Sequence, residues 1–234
     1  MISVNPTNSA PVLDPLAVMA LPAIAEDTFQ PAGQLISQTL GTAGNPITDA
    51  DSGAMEGIAV INAAAVNGQW QYSLVNPPAG EANWQPVGIV SDTEALLLSD
   101  DAWLRFVPAP EYFGESSPLN FRAWDRASGS SGQRVNVSVN GGNTAFSAET
   151  NSFTTMITSV NDLPLLGGLP AGPLQYIEDA GPLPLPGESL TVSDIDSPLL
   201  ASATVRLTNP LDGDAEWLLV TTNGTGISAV YEGG

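Results

Sequence analysis

Short runs of alternating or continuous apolar residues mark out the first 160 residues of the chain. A period of two places successive side chains on opposite faces of a β-strand, whereas a helix repeats every 3.6 residues. Strands are predicted on this basis at residues 57–64, 70–74, 95–98, 103–107, 119–125, 135–139 and 153–160. No segment shows convincing helical periodicity. The pattern therefore predicts an all-β fold, built as a Greek-key β-sandwich.

The composition supports a folded protein rich in turns. The chain has 234 residues, of which 43% are hydrophobic and only 13% are charged. Disordered chains combine low hydrophobicity with high net charge, so this balance favours a buried core. The 23 glycines and 20 prolines indicate many short strands joined by turns.

Three short motifs recur in the same order along the chain. Their offsets are 153, 152 and 145 residues: 10–13 returns at 163–166, 25–28 at 177–180 and 48–52 at 193–197. A repeat unit of about 150 residues follows from these offsets. We predict three segments: 1–24 as the tail and linker of a preceding repeat, 25–163 as one full repeat, and 164–234 as an incomplete second repeat.

The charged residues exclude several classes of function. The chain carries 25 acidic and 5 basic residues, a formal net charge of −20, and contains no Lys, His or Cys. Nucleophile systems that need an imidazole, Cys/His zinc sites and Schiff-base chemistry are therefore excluded. The negative field repels nucleic acid. The apolar stretch at 16–25 is too short to insert into a membrane and is interrupted by Pro22.

Carboxylates cluster in the predicted loops. The clusters are Glu26-Asp27, Asp49 with Asp51, Asn161-Asp162, and their repeats Glu178-Asp179 and Asp194 with Asp196; Asp125 ends a predicted strand. Carboxylates two positions apart on an extended loop can face one cation. Ca²⁺ takes six to eight oxygens in irregular geometry and suits such loops better than Mg²⁺. The alternative is that these residues only form turns, since Asp, Asn and Ser bond the local backbone.

Two enzymatic alternatives and one binding alternative remain. Asp51-Ser52-Gly53 resembles half of an aspartic-protease motif, but its repeat reads Asp196-Ser197-Pro198. A pair of carboxylates could hydrolyse glycosides, although nothing in the sequence selects such a pair. Trp84 lies in a predicted loop and could stack on a sugar, as in a carbohydrate-binding module of a secreted protein. We expect that the chain is not an enzyme.

Several segments together resemble the cadherin-like tandem repeats of very large bacterial surface and secreted proteins, including the extender regions of repeats-in-toxin-type adhesins. The most specific segments are F-V-P-A-P-E-Y-F-G at 106–114 and V-N-D-L-P at 160–164; shorter ones lie at 25–28, 49–52 and 121–125. The likeness covers most of the first repeat and the start of the second. The linker lacks the second Asn of animal cadherins, and Asp125-Arg126 is followed by Ala127 instead of Glu.

The resemblance implies immunoglobulin-like sandwiches joined end to end, with Ca²⁺ stiffening each joint. The implied metal ligands are Glu26, Asp49, Asp51, Asp125, Asn161, Asp162, Asp194 and Asp196. Asp49 and Asp51 would face a preceding repeat, and the other six would converge on the joint between the two repeats present here. The implied function is a stalk or cell-adhesion module outside the cell. Its partners would be neighbouring repeats and a cell-surface glycan or protein.

Overall fold

The chain folds as two compact units, Met1–Leu163 (unit 1) and Pro164–Gly234 (unit 2). The computed structural model describes residues 7–75, 81–169, 171–172, 174–177, 179–185, 190–206, 208 and 216–231. The division falls at the position where the repeated motifs place the start of the second repeat.

Unit 1 is mostly β-structure. In chain order its described elements are β1 (Val12–Leu13), β2 (Met19–Ala20), β3 (Ile24–Ala25), β4 (Gln34–Leu35), α1 (Ile36–Thr42), β5 (Ile47–Thr48), β6 (Gly57–Ala63), β7 (Gly68–Ser73), a 3-10 turn (Glu81–Asn83), β8 (Gln85–Pro86), β9 (Ala95–Ser99), β10 (Trp103–Pro108), β11 (Gly114–Glu115), β12 (Leu119–Trp124), β13 (Arg134–Val135), β14 (Asn151–Thr154) and β15 (Met156–Thr158). Unit 2 contributes β16 (Leu165–Gly167) and β17 (Thr191–Ser193).

Two larger sheets form the body of unit 1. One sheet has six strands in the order β13-β9-β6-β12-β14-β2, and the other has four in the order β4-β10-β7-β8. A third sheet, β11-β15-β3, and the pair β1-β5 extend them. Most pairs are antiparallel, but β2 and β3 run parallel to β14 and β15. The segment 19–25 therefore lies alongside the segment 153–158, in the same direction.

One hydrophobic core joins the two larger sheets. Phe121 and Phe153 of the six-stranded sheet stack with ring centroids 4.7 Å apart, and Trp70 meets Phe106 of the four-stranded sheet edge-on at 5.2 Å. All four side chains belong to the same buried cluster. Such a core between facing sheets is the arrangement of a β-sandwich.

Part of the six-stranded sheet is buried on both faces. Its second face carries a smaller cluster that includes Leu97, Trp124 and Phe146. Leu96 and Leu98 point into the main core, whereas Leu97 between them points into the second cluster. A strand that is covered on both sides needs no polar face, and this explains the continuous apolar run at 95–98.

The long predicted strands are present, and three features differ from the prediction. The segment predicted at 135–139 pairs only at Arg134–Val135. The helix α1 was not predicted; it buries Ile36, Thr39 and Leu40, a stripe too short to show a period. Residues 10–24, expected in the tail of a preceding repeat, lie within unit 1, where β1 and β2 pair with β5 and β14. Their apolar side chains, such as Leu13, belong to its core.

Unit 2 repeats one local feature of unit 1 in register. In unit 1, Val12 pairs with Thr48 in the antiparallel pair β1-β5. In unit 2, Leu165 pairs with Ser193 in the antiparallel pair β16-β17. Leu165 follows Val12 by 153 residues and Ser193 follows Thr48 by 145, which are the offsets of the repeated motifs. The same motifs therefore form the same antiparallel strand pair in both units.

Candidate functional site

Asp49 and Asp51 lie in the loop that follows β5. The backbone N–H of Asp51 donates to Oδ1 of Asp49 at 2.7 Å, which closes a local turn. The backbone N–H of Ser9 donates to Oδ2 of Asp51, also at 2.7 Å. This second bond ties the loop to the segment that precedes β1, so the two carboxylates are held and oriented.

Asp125 belongs to the same group. It is buried at the end of β12, and its Oδ2 accepts a hydrogen bond of 2.8 Å from the side-chain amide of Asn8. Its Oδ1 accepts from the backbone N–H of Ala127 at 2.8 Å. The adjacent residues Asn8 and Ser9 thus bridge Asp125 to Asp51. We call Asn8, Ser9, Asp49, Asp51 and Asp125 the first acidic cluster.

A polar cleft opens beside this cluster. It has a volume of about 150 Å³, and Asp49, Asp51 and Glu56 contribute carboxylates to its lining. The Oδ2 atom of Asp49 is buried and has no hydrogen-bond partner among the described residues. Burial, with the negative charge of Asp100 as a smaller contribution, raises the pKa of Glu56. The cleft therefore concentrates negative charge and leaves a buried oxygen available to a cation.

A second acidic cluster consists of Glu26, Asp27, Glu111 and Asp162. The Glu26 carboxylate is buried, and its Oε1 accepts a hydrogen bond of 2.6 Å from the backbone N–H of Val160. A hydrogen bond between the Glu111 and Asp162 carboxyls, with the charge of Asp162 next, raises the pKa of Glu111; desolvation, Asp27 and Glu26 add to the shift. The cluster therefore gathers negative charge around the Glu111 carboxyl.

The structure places Asp125 away from Glu26, although the sequence analysis assigned both to one joint. Asp125 follows β12, which runs antiparallel to β14, so it lies beyond the Asn151 end of β14. Glu26 lies beyond the other end of the continuing strand β15, beside Val160. Thr158 follows Asn151 by seven positions of extended chain. At about 3.3 Å per residue, these two ends lie on the order of 20 Å apart. Asp125 therefore belongs with Asp49 and Asp51.

For the remaining predicted ligands, the hydrogen bonds found are to neighbouring residues in the chain. Asn161 is exposed, and its side-chain amide donates to the carbonyl of Asp162. In unit 2, Oδ1 of Asp194 accepts from the backbone N–H of Ser197 at 2.8 Å, and Oδ1 of Asp196 accepts from the Ser197 hydroxyl at 3.3 Å. Both aspartates are half-buried in a bend that follows β17. Glu178 lies outside the described residues.

Comparisons with protein-family models, with curated proteins and with solved structures found no match. In the part of the chain that the structure describes, no helix is long and apolar enough to span a membrane.

No group of three or more acidic side chains, within the described residues, is arranged to hold a metal ion by itself. A cation at either cluster would therefore need further oxygens from the backbone, from amide side chains or from water, which Ca²⁺ accepts readily. In the first cluster Oδ2 of Asp49 and the cleft beside it fit such a role. In the second, the Glu111–Asp162 pair fits it.

Sequence reasoning missed four participants: Asn8, Ser9, Glu56 and Glu111. Asn8 could have been found, because it precedes Asn161 by 153 residues and thus holds the same place in the repeat. Glu111 lies within the quoted segment at 106–114, but its position depends on a left-handed backbone, with φ of 60°. A non-glycine residue with such a φ is uncommon, and sequence periodicity does not reveal it.

Two of the five tryptophans lie in the core of unit 1. Trp70 and Trp124 are buried, as their alternating strands predict. Trp84, the candidate sugar platform, is half-buried, and the Arg105 guanidinium lies 4.3 Å from the centre of its ring. That guanidinium also donates to Oε1 of Gln71 at 2.7 and 2.9 Å. One face of Trp84 is thus occupied by a cation–π contact.

Proposed function

We propose that this chain is a calcium-binding structural or adhesive repeat of a large extracellular bacterial protein, in which Ca²⁺ stiffens immunoglobulin-like, cadherin-like Greek-key sandwiches. The observation that carries the proposal is the buried Oδ2 of Asp49, which lacks a hydrogen-bond partner among the described residues and lies beside an acidic cleft. An unsatisfied buried acceptor costs about 1–3 kcal/mol, and more when it is charged. A hard cation would offset that cost.

The bonds around Asp49 support a pre-formed site. Its Oδ1 is already used by the N–H of Asp51, so the carboxylate is held in one orientation with Oδ2 turned away from that bond. Asp51 is fixed in turn by Ser9. A site whose ligands are oriented before binding loses less conformational entropy when the ion arrives.

The second acidic cluster also supports calcium binding, because it concentrates negative charge around one carboxyl group. Asp162, Asp27 and Glu26 place negative charge around Glu111 and raise the pKa of its carboxyl. Ca²⁺ bound there would neutralise this charge through the same oxygens. Glu111 and Asp162 would contribute carboxylate oxygens, and the backbone and water would supply the remaining ligands.

The net charge explains why calcium would act as a stiffener. With a formal charge of −20, the loops at the two ends of unit 1 carry carboxylates that repel one another. Bound calcium supplies positive charge that turns this repulsion into shared coordination. The segments that carry the ligands, before β1 and after β15, are then held against the sandwich.

The test is thermal unfolding of the full chain in chelator, in millimolar calcium and in millimolar magnesium. Calcium at 100 times its Kd stabilises a folded protein by about 2.7 kcal/mol. We expect a midpoint clearly higher in calcium than in chelator, with magnesium less effective because it keeps its waters. Identical midpoints in calcium and chelator would overturn the proposal.

A further inference from the structure

The β16-β17 pair of unit 2 presents an apolar face that is buried in its counterpart in unit 1. Leu13 and Ile47 pair in β1-β5 and are 1% and 6% exposed. Leu166 and Val192 hold the same places in β16-β17, at the offsets of 153 and 145, and are 54% and 47% exposed. The backbone pairing is the same, so the difference lies in what covers the pair.

In unit 1, strands from the second half of the repeat cover the β1-β5 pair. Leu13 and Ile47 belong to the main core together with Phe121 of β12 and Phe153 of β14. The strand β1 lies directly against β12. Both β12 and β14 come from the second half of the repeat, after residue 91. The described residues of unit 2 include no buried side chain, so no such cover is formed there.

A third residue of unit 2 is also exposed where its counterpart in unit 1 is buried. Trp217 comes 147 residues after Trp70, within the range of the repeat offsets. Trp70 is buried against Phe106 of β10, again a strand from the second half of the repeat, whereas Trp217 is 69% exposed. Leu166, Val192 and Trp217 are thus exposed counterparts of residues that lie in the core of unit 1 with side chains of strands β9 to β15.

We propose that the apolar face of the β16-β17 pair, formed by Leu166 and Val192, is a docking surface for a copy of the second half of this repeat, the segment that carries strands β9 to β15. The surface is one-sided. Leu165 is exposed, and so is its counterpart Val12 in unit 1, which marks the outer face of the pair. The inference stands on the repeated register and does not depend on calcium.

The experiment appends a second copy of residues 91–163 after Gly234 of the full chain. Hydrogen exchange is then followed at the backbone amides of β16 and β17 in the original and extended chains. Docking removes the pair from solvent, as in β1-β5, so we expect exchange at these amides to slow by at least about 100-fold.

Two matched variants of the extended chain test which face is used. Leu166→Asp places a charge on the docking face, and we expect it to abolish the protection. Leu165→Asp makes the same chemical change one residue earlier, on the outer face, and should keep the protection. Equal loss in both variants would overturn the assignment of the face.

Two further results would overturn the proposal. One is unchanged exchange in the extended chain while β1 and β5 stay protected, since unit 1 is then folded and the appended strands have not docked. The other is protection of β16 and β17 in the original chain on raising its concentration, which would assign the surface to a second copy of the chain.

Discussion

The substitution Asp49→Asn separates the structural role of this side chain from its proposed role as a calcium ligand. Asparagine keeps the shape of aspartate and an Oδ1 that can accept the N–H of Asp51. It removes the negative charge at the position of Oδ2, the buried oxygen that has no partner among the described residues. The new amide takes the place of that oxygen beside a cleft that Asp51 and Glu56 also line.

The substitution should raise the stability of the chain in chelator and lower it, relative to the native chain, in calcium. In chelator, loss of a buried oxygen that has no hydrogen-bond partner among the described residues should stabilise the variant by about 1 kcal/mol. For a unit of this size, 1 kcal/mol corresponds to roughly 2–4 °C in Tm. With calcium at 100 times its Kd, the native chain should gain about 2.7 kcal/mol, or about 5–11 °C on the same scale. The Asp49→Asn variant should lose at least half of that gain.

Differential scanning calorimetry of both chains, with chelator and with calcium, measures the four midpoints. Asp14→Asn is the matched control, because Oδ1 of Asp14 accepts the N–H of Leu16 at 2.9 Å in the same kind of turn, at an exposed site. That variant should follow the native chain in both conditions. If Asp49→Asn is destabilising in chelator and keeps the full calcium gain, Asp49 is a turn residue and the reasoning is refuted.

Three further predictions concern other parts of unit 1. Because the folded protein holds the proton of Glu111 more tightly than the unfolded chain does, stability in chelator should fall as the pH rises from the ordinary glutamate pKa through the raised one. Glu111→Gln should flatten that part of the urea-denaturation profile against pH, and an unchanged slope would contradict the carboxyl pairing. Gly57→Ala should lower the free energy of unfolding by about 1–3 kcal/mol, because a Cβ there would lie 2.7 Å from the ring of Trp124 and 2.8 Å from the carbonyl oxygen of Leu98; equal urea midpoints would contradict this close packing. Leu13→Ala should cost about 2–5 kcal/mol and Val12→Ala about 0.5 kcal/mol or less, so similar urea-unfolding losses would argue against the inward–outward alternation of β1.

The parts of the fold that could be predicted are those whose pattern is long enough to carry a period. β6, β7, β10 and β12 each span six or seven residues and lie close to the predicted ranges. Two-residue strands such as β1 and β2 have no period to detect, and their pairing depends on distant segments. The helix α1 has seven residues, includes Gly41 and has no side-chain cap, so tertiary packing stabilises it more than propensity does.

The candidate site shows a similar limit. The sequence identifies the acidic loops, but only the strand directions decide which loops share an end of the sandwich. Asp125 was grouped with Glu26 because both occur in the segments that resemble cadherin-like repeats. The antiparallel pairing of β12 with β14 places it instead beside Asn8. The calcium ligands are a prediction that the unfolding experiments test, and the adhesive function and the extracellular location stay predictions.

The parallel pairing of β2 and β3 with β14 and β15 determines how unit 1 would respond to mechanical load. If the chain is pulled from both sides, the segments 19–25 and 153–158 are drawn in opposite directions along their shared axis. Hydrogen bonds that join parallel strands are then loaded in shear, so several must break together instead of opening one after another. A tether built from such units would hold under tension until it fails abruptly.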